Sequence, residues 1–358
     1  MTVRSAFADQ AVSCRTLGSE LTARVVERLG TALQVSQGPV AARVLGWPGD
    51  ASSRGASVPL RLAGALHHLV LSGRTPALAA AYAVGDPPVE TMLAAIAAHE
   101  ALVLDWLDSP PQTNEVGRSA VLIAAARFLT GLHPLPFELL ELGASAGLNL
   151  NFARYRLAPD RGAARRRLVL EPVAHQSATP EIFLPGEVVL SPRWTGEFPE
   201  TEFVVAAAEG VDLRPVDPVT GAERLLAYCW ADQPERLARL RAALAVAKVH
   251  PVPVHEGDAA GWLQARLVDP APGRLRLVYH TVAWQYFPPE TQAACEASLQ
   301  AAGARASVNA PLAHLSMEAD GGRGAALQLR LWDGAFHGWS LARADFHGRW
   351  VDWQPRPH

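Results

Sequence analysis

The chain has 358 residues, 49% hydrophobic and 19% charged, with a formal net charge of −3. That length and balance suit one core with a large cap or two globular units, and exclude wholesale disorder. The slightly acidic balance, with Lys248 the single lysine, argues against a nucleic-acid partner, whose surface would be basic.

From the start to about residue 133 the sequence reads as helices. Ser19 precedes the apolar-periodic run Leu21, Val25, Val26, Leu29, Leu33, and Pro59 opens an apolar helix over 60–71. Thr75-Pro76 has the form of a helix cap followed by proline at the first helical position. Pro87-Pro88 leads into a long helical run ending near Trp106, and another helix is predicted over 116–132. No run reaches the ~20 apolar residues of a membrane span, and the N-terminus lacks the continuous apolar segment of a signal peptide. Cys14, Cys229 and Cys295 form no CxxC, which fits a reducing cytoplasm and no disulfide framework.

The pattern changes at Pro134 and Pro136. Short apolar runs at 137–142, 203–213, 252–256, 275–279 and 311–317 alternate with helical stretches at 148–155, 222–247, 259–267 and 289–302. Strand–helix alternation predicts βαβ units and a mostly parallel sheet covered on both faces. The last forty or so residues break the alternation: 327–332, 339–344 and 348–353 predict an antiparallel ending. Residues 156–200, with several prolines and the basic cluster Arg165–Arg167, are read as an insertion.

The most informative segment is PFELLELGASAGLNLNFARY. An apolar strand runs into Glu141, then a turn of small residues, Gly143, Ala144, Ser145 and Gly147, then a helix carrying Asn149. Small residues let a ligand approach the backbone, and a helix N-terminus offers unpaired N–H groups. The spacing is not the GxGxxG dinucleotide fingerprint; it is closer to the acidic-x-Gly-x-Gly-x-Gly loop of S-adenosylmethionine enzymes, with Ser145 at the middle glycine. Two other readings stand beside it. The same residues spell G-x-S-x-G, the nucleophile elbow of α/β-hydrolases, and small residues also serve plain close packing of helix on strand.

Three further strand ends favour the cofactor reading. Asp212, where a second strand ends, suits two ribose hydroxyls. Asp258-Ala259, after a third, suits an adenine amino group, although Asp at such places is commonly a cap. The fourth strand leads into His280 and then Gln285 and Tyr286. His280 is the acid/base candidate, because an imidazole titrates near neutrality; Gln285 and Tyr286, with Trp284, shape a pocket or pack as core.

At this point the chain resembles the bacterial domain-of-unknown-function 2332 family over nearly its whole length. The matching segments are 60–71 (LRLAGALHHLVL), 111–120 (PQTNEVGRSA), 141–150 (ELGASAGLNL), 210–217 (GVDLRPVD), 230–243 (WADQPERLARLRAA), 280–287 (HTVAWQYF) and the His347-Gly348 ending. Where the family pattern leads one to expect a basic residue before GVDL, this chain has Ala208-Glu209. The resemblance implies an α/β fold: a doubly wound, Rossmann-like, methyltransferase-type sheet over 134–358 with antiparallel C-terminal strands, and a helical cap over 1–133. It implies S-adenosylmethionine as cofactor and a small-molecule substrate, while charge and the lack of an apolar span lead one to expect neither a nucleic-acid nor a membrane partner.

Gln112, Asn114, Glu115 and Arg118 form a polar cluster at a helix start, read either as substrate contacts or as capping groups. His67, inside an apolar helix, is a further substrate candidate against the commoner role of a packed histidine. The histidines and carboxylates show no ligand spacing such as HExxH, so no metal is expected.

Overall fold

The computed structural model describes residues 2–160 and 187–358; the cluster Arg165–Arg167 lies outside them. The chain divides into two compact units, Met1–Thr113 with Thr220–Arg241, and Asn114–Val219 with Ala242–His358.

The first unit is helical. It comprises α1 (Val3–Thr16), α2 (Glu20–Ala32), α3 (Pro39–Leu45), α4 (Val58–Leu71), α5 (Pro76–Val84), α6 (Val89–Ala98), α7 (Glu100–Asp108) and α9 (Ala222–Tyr228). Ser19, which precedes the apolar run, caps α2 by accepting from the Thr22 amide. Thr75 stands at the cap position of α5 but makes no side-chain bond there. The long run before Trp106 is interrupted at His99, which separates α6 from α7. α4 is the centre of this core, with Leu62, Leu66 and Leu69 fully buried. Residues 220–241 join it through apolar and polar contacts: Ala227 and Tyr228 are buried in its core, and the Asp232 carboxylate accepts from Ser19 Oγ (2.5 Å) and the Leu21 amide (2.9 Å).

The second unit is built on a sheet. Its strands are β1 (Phe137–Leu142), β4 (Arg193–Thr195), β5 (Val205–Asp212), β6 (Val254–Glu256), β7 (Leu275–Thr281), β8 (Leu312–Ala319), β9 (Ala325–Trp332), β10 (Phe336–Ala344) and β11 (Trp350–Pro357); β2 (Arg156–Leu157) and β3 (Val189–Leu190) pair separately. Among the described residues the order is β4-β11-β10-β9-β8-β7-β1-β5-β6. β6-β5-β1-β7-β8 are parallel, and β9 to β11 continue antiparallel as the sequence predicts. The fold is therefore mixed α/β on a large, mostly parallel sheet. From β1 the chain builds outward through β5 and β6, then returns to the other flank of β1 with β7 and β8. The order reverses between β1 and β7, the place where open α/β sheets leave a crevice at their carboxyl edge.

Paired residues share a face. Leu140, Leu142 and Val278 pack against α11 (Ala259–Arg266) and α12 (Pro289–Gly303) through Leu263, Cys295 and Leu299. On the other face Tyr279, Phe152, Phe203 and Phe137 form a chain of ring contacts between 5.6 and 6.3 Å. α8 (Ser119–Leu132) was expected in the helical half, yet its apolar side belongs to the second unit, with Phe128 edge-on to Trp339 and Trp353. The boundary expected near 133 thus falls at 113/114. The helix predicted over 222–247 is two, α9 and α10 (Pro234–Val249). No described helix is long and apolar enough to cross a membrane.

Candidate functional site

The turn after β1 is set by its small residues. Gly143 and Gly147 have φ of +72° and +68°, the left-handed region that glycine occupies without cost. They also allow close approach: a Cβ on Gly143 would lie 2.7 Å from Ala283 Cβ, and one on Gly147 2.8 Å from Val254 Cγ2. Ala144 is fully buried, facing Gly210, where an added Cβ would lie 2.6 Å from its methyl. Ser145 takes the left-handed region without being glycine, at φ 54°. It is held there because its amide donates to Asp212 Oδ2 (2.9 Å) and its carbonyl accepts from the Val216 amide (3.1 Å). Its hydroxyl is buried and has no hydrogen-bond partner among the described residues.

The α-helix expected after this turn is instead a 3₁₀ helix, Leu148–Arg154. Its first N–H is not open to a ligand: the Leu148 amide donates to Asn114 Oδ1 (2.8 Å), and Asn149 Oδ1 accepts from Ser119 Oγ (2.7 Å). Tyr155 Oη donates to the Leu148 carbonyl (2.5 Å), which folds the segment back on itself. The open helix terminus expected from the sequence is therefore closed by Asn114.

The other nominated residues fall into place around this turn or away from it. Asn114 caps a neighbouring segment rather than its own helix. Glu115 accepts from the Gly117 amide (2.9 Å), and Arg118 donates to the carbonyls of Phe346 (3.0 Å) and Thr281 (2.8 Å). Gly117 and Gly348 touch backbone to backbone, since a Cβ on Gly117 would lie 2.3 Å from the His347 carbonyl oxygen. The segments 114–119, 143–149 and 345–349, far apart in sequence, are thereby tied together. Gln112 and His67 lie in the first unit. His67 Nδ1 is 3.0 Å from the Ala227 carbonyl oxygen, and burial lowers its pKa, so it is a packed neutral imidazole.

Asp212, at the end of β5, accepts from the amides of Ser145 and Arg214. Asp258 is the cap of α11, which begins at Ala259; it accepts from the amides of Ala260 and Gly261 and from Thr291 Oγ1. Glu141 is 2% exposed. Burial pushes its carboxyl well above the usual range, with a 3.3 Å bond from Tyr279 Oη opposing and the nearby Asp212 charge adding to the rise. Glu209, where a basic residue was expected, bonds His255 Nε2 (2.8 Å) and Arg266 Nη2 (3.0 Å).

The turn after β7 carries a second left-handed residue, Val282, at φ 53°. For a β-branched side chain this is an outlier, which persists only where the surroundings fix it. Here they do. The Val282 amide donates to the Met317 carbonyl (2.8 Å), and Glu318 Oε1 accepts from the amides of Ala283 (3.0 Å) and Trp284 (3.1 Å). The same oxygen is 2.7 Å from His280 Nδ1. The His280 side chain is 3% exposed, and Trp284 stacks on it at 4.8 Å. Gln285 and Tyr286 stand out in solvent on a 3₁₀ turn, Tyr286 65% exposed, so the structure does not gather them round His280.

Sequence reasoning missed Glu318. The signal was there: His314, Ser316 and Glu318 alternate along β8, a polar row on one face of a strand whose other residues are apolar.

The family described as "Uncharacterized protein conserved in bacteria (DUF2332)" matches residues 4–353. The chain belongs to this family. No curated protein and no solved structure matches it. For this DUF2332 chain the elbow reading of G-x-S-x-G lacks its base, since a serine nucleophile needs an imidazole in hydrogen-bond reach and Ser145 Oγ has no partner among the described residues. Those residues hold no group of three or more metal-ligating side chains.

Proposed function

We propose that the second unit is a Rossmann-like, methyltransferase-type domain that binds S-adenosylmethionine at the carboxyl edge between β1 and β7 and transfers its methyl group to a small molecule. One observation carries the reading. At the point where strand order reverses, the turn after β1 holds a buried, unpartnered hydroxyl, Ser145 Oγ, beside the carboxylate of Asp212.

The donor set fits the group. Asp212 pins the turn through the amides of Ser145 and Arg214, and its carboxylate at the end of β5 is the acceptor type that a ribose diol requires. Ser145 Oγ offers the donor that its own surroundings leave unused. When bound, the cofactor supplies an electrophilic methyl on a sulfonium. The chain's own contribution is orientation: Asn114, Arg118 and Glu318 hold the two turns in place before a ligand arrives.

The test is thermal unfolding with S-adenosylmethionine, S-adenosylhomocysteine, NADH and NADPH in parallel. A ligand at ~100 times its dissociation constant stabilises by about 2.7 kcal/mol. A melting shift with the two adenosyl-sulfur compounds alone is expected. No shift at millimolar concentration, or an equal shift with NADH, overturns the proposal.

A further inference from the structure

We infer that Glu318 and His280 form a carboxylate–imidazole dyad that accepts a proton at this site, and that the methyl acceptor is a hydroxyl compound. This rests on the methyl-transfer reading and specifies it.

The geometry of one oxygen carries the argument. Glu318 Oε1 receives two backbone amides and lies 2.7 Å from His280 Nδ1. An oxygen already taking two N–H donors is an acceptor towards the third group, so Nδ1 carries the ring proton and Nε2 keeps its lone pair. The backbone bonds fix the carboxylate, the carboxylate fixes the tautomer, and Trp284 fixes the ring plane at 19° to its own. The neighbouring imidazole is set the opposite way. His314, 5.1 Å from His280, accepts from Arg330 at Nδ1 (2.8 Å), so its proton is on Nε2. Burial, with the nearby His280 and Arg330, holds it neutral. Of the two rings, His280 is the one whose basic nitrogen has no hydrogen-bond partner among the described residues, one residue from the end of β7 and two from Val282.

A base of this kind matters for one acceptor class. Thioethers and neutral amines attack with a lone pair they already present, whereas a hydroxyl is a weak nucleophile until its proton is taken. His280 Nε2 takes the hydroxyl proton as an oxygen electron pair forms the C–O bond; the C–S bond breaks and its pair stays on sulfur. The products are a methyl ether, a neutral thioether and an imidazolium, which returns its proton to water. Glu318 is the positioning residue of this step.

Two measurements on the full chain test it. Long-range ¹H–¹⁵N correlation of histidine-labelled protein, with His280→Gln to assign the signal, should show His280 as the Nδ1–H tautomer. Glu318→Gln keeps an oxygen on the two amides and should preserve that tautomer, while Glu318→Ala should give a mixture. An Nε2–H tautomer in the unaltered protein overturns the dyad, whatever the ligand. The second measurement follows labelled methyl from S-adenosylmethionine to matched phenols, alcohols, amines and thioethers. Transfer to hydroxyls alone is expected, falling about 100-fold in His280→Gln with the S-adenosylhomocysteine melting shift retained. Transfer to amines or thioethers, an unchanged rate in His280→Gln, or ligand binding without transfer to any hydroxyl overturns the assignment. If S-adenosylhomocysteine does not bind at all, the methyl-transfer reading fails, and the acceptor class with it; the tautomer then judges the dyad alone.

Discussion

Ser145 after β1 and Val282 after β7 sit in the same backbone region, at φ 54° and 53°, but the two turns are held by different means. The first is shaped mainly by what it lacks. Gly143, Ala144 and Gly147 bring the chain against Ala283, Gly210 and Val254 with no room for larger groups, and Asp212, on the neighbouring strand, ties it. The second is made of ordinary residues, Thr281 to Trp284, and is held from β8 by Glu318. Strain written into composition can be read from a sequence. Strain imposed by a partner thirty-odd residues away cannot, until the strands are placed side by side.

Substitutions can break each turn separately. Gly143→Ala should cost the most, about 3 kcal/mol, as the left-handed penalty of ~1–2 adds to an overpacking cost of ~1–3; the melting temperature reports it. Glu318→Ala strips three donors of their acceptor and should cost roughly 2 kcal/mol, whereas Glu318→Gln should cost less than half of that in the same melt. Equal losses in the two Glu318 variants would mean that the carboxylate does more than accept these bonds.

The protonation states give two predictions of opposite sign. His314 has its folded-state pKa depressed by burial, so as pH falls below the unfolded value of ~6.5 the unfolded chain takes a proton that the folded one refuses. Stability should drop over that range, and His314→Gln should flatten the drop. Glu141 is raised instead. Its contribution is intact below the unfolded carboxyl pKa of ~4.3 and is lost as pH rises above it. Glu141→Gln should therefore stabilise the protein near pH 8 and leave it unchanged near pH 4 in parallel melts. Tyr286→Ala marks the lower end: an exposed ring with no partner among the described residues should move stability by under ~0.5 kcal/mol.

Much of the sheet was legible because its strands are short apolar runs with proline and glycine between them. β1 was read to the residue, and β5 to β11 to within a few residues. The sequence misled where helix type and membership depend on distant contacts. The segment after Gly147 has helical spacing, but Asn114 takes its first amide and Tyr155 its first carbonyl, which suits a tight 3₁₀ turn. α8 has the composition of the preceding helices, yet its apolar side is claimed by Trp339 and Trp353, some two hundred residues on. The candidate site divides the same way. Local pattern pointed to Glu141, Ser145 and Asp212; Asp212, Asn114 and Arg118 hold backbone from a distance and Asp258 caps its own helix, while the polar row of β8 marked Glu318 without saying what it holds, because its partners lie on and after another strand.

Under the proposed function, the reversal point between β1 and β7 binds an adenosyl-sulfur compound through Ser145 and Asp212. Calorimetric titration of S-adenosylhomocysteine into the unaltered chain, Ser145→Ala and Asp212→Asn measures that binding and each residue's share in it. One site per chain is expected, weakened at least about tenfold in each variant, since a lost hydrogen bond to a charged or buried partner costs roughly 1.5 kcal/mol or more. No binding at millimolar concentration, or equal affinity in all three proteins, would contradict it.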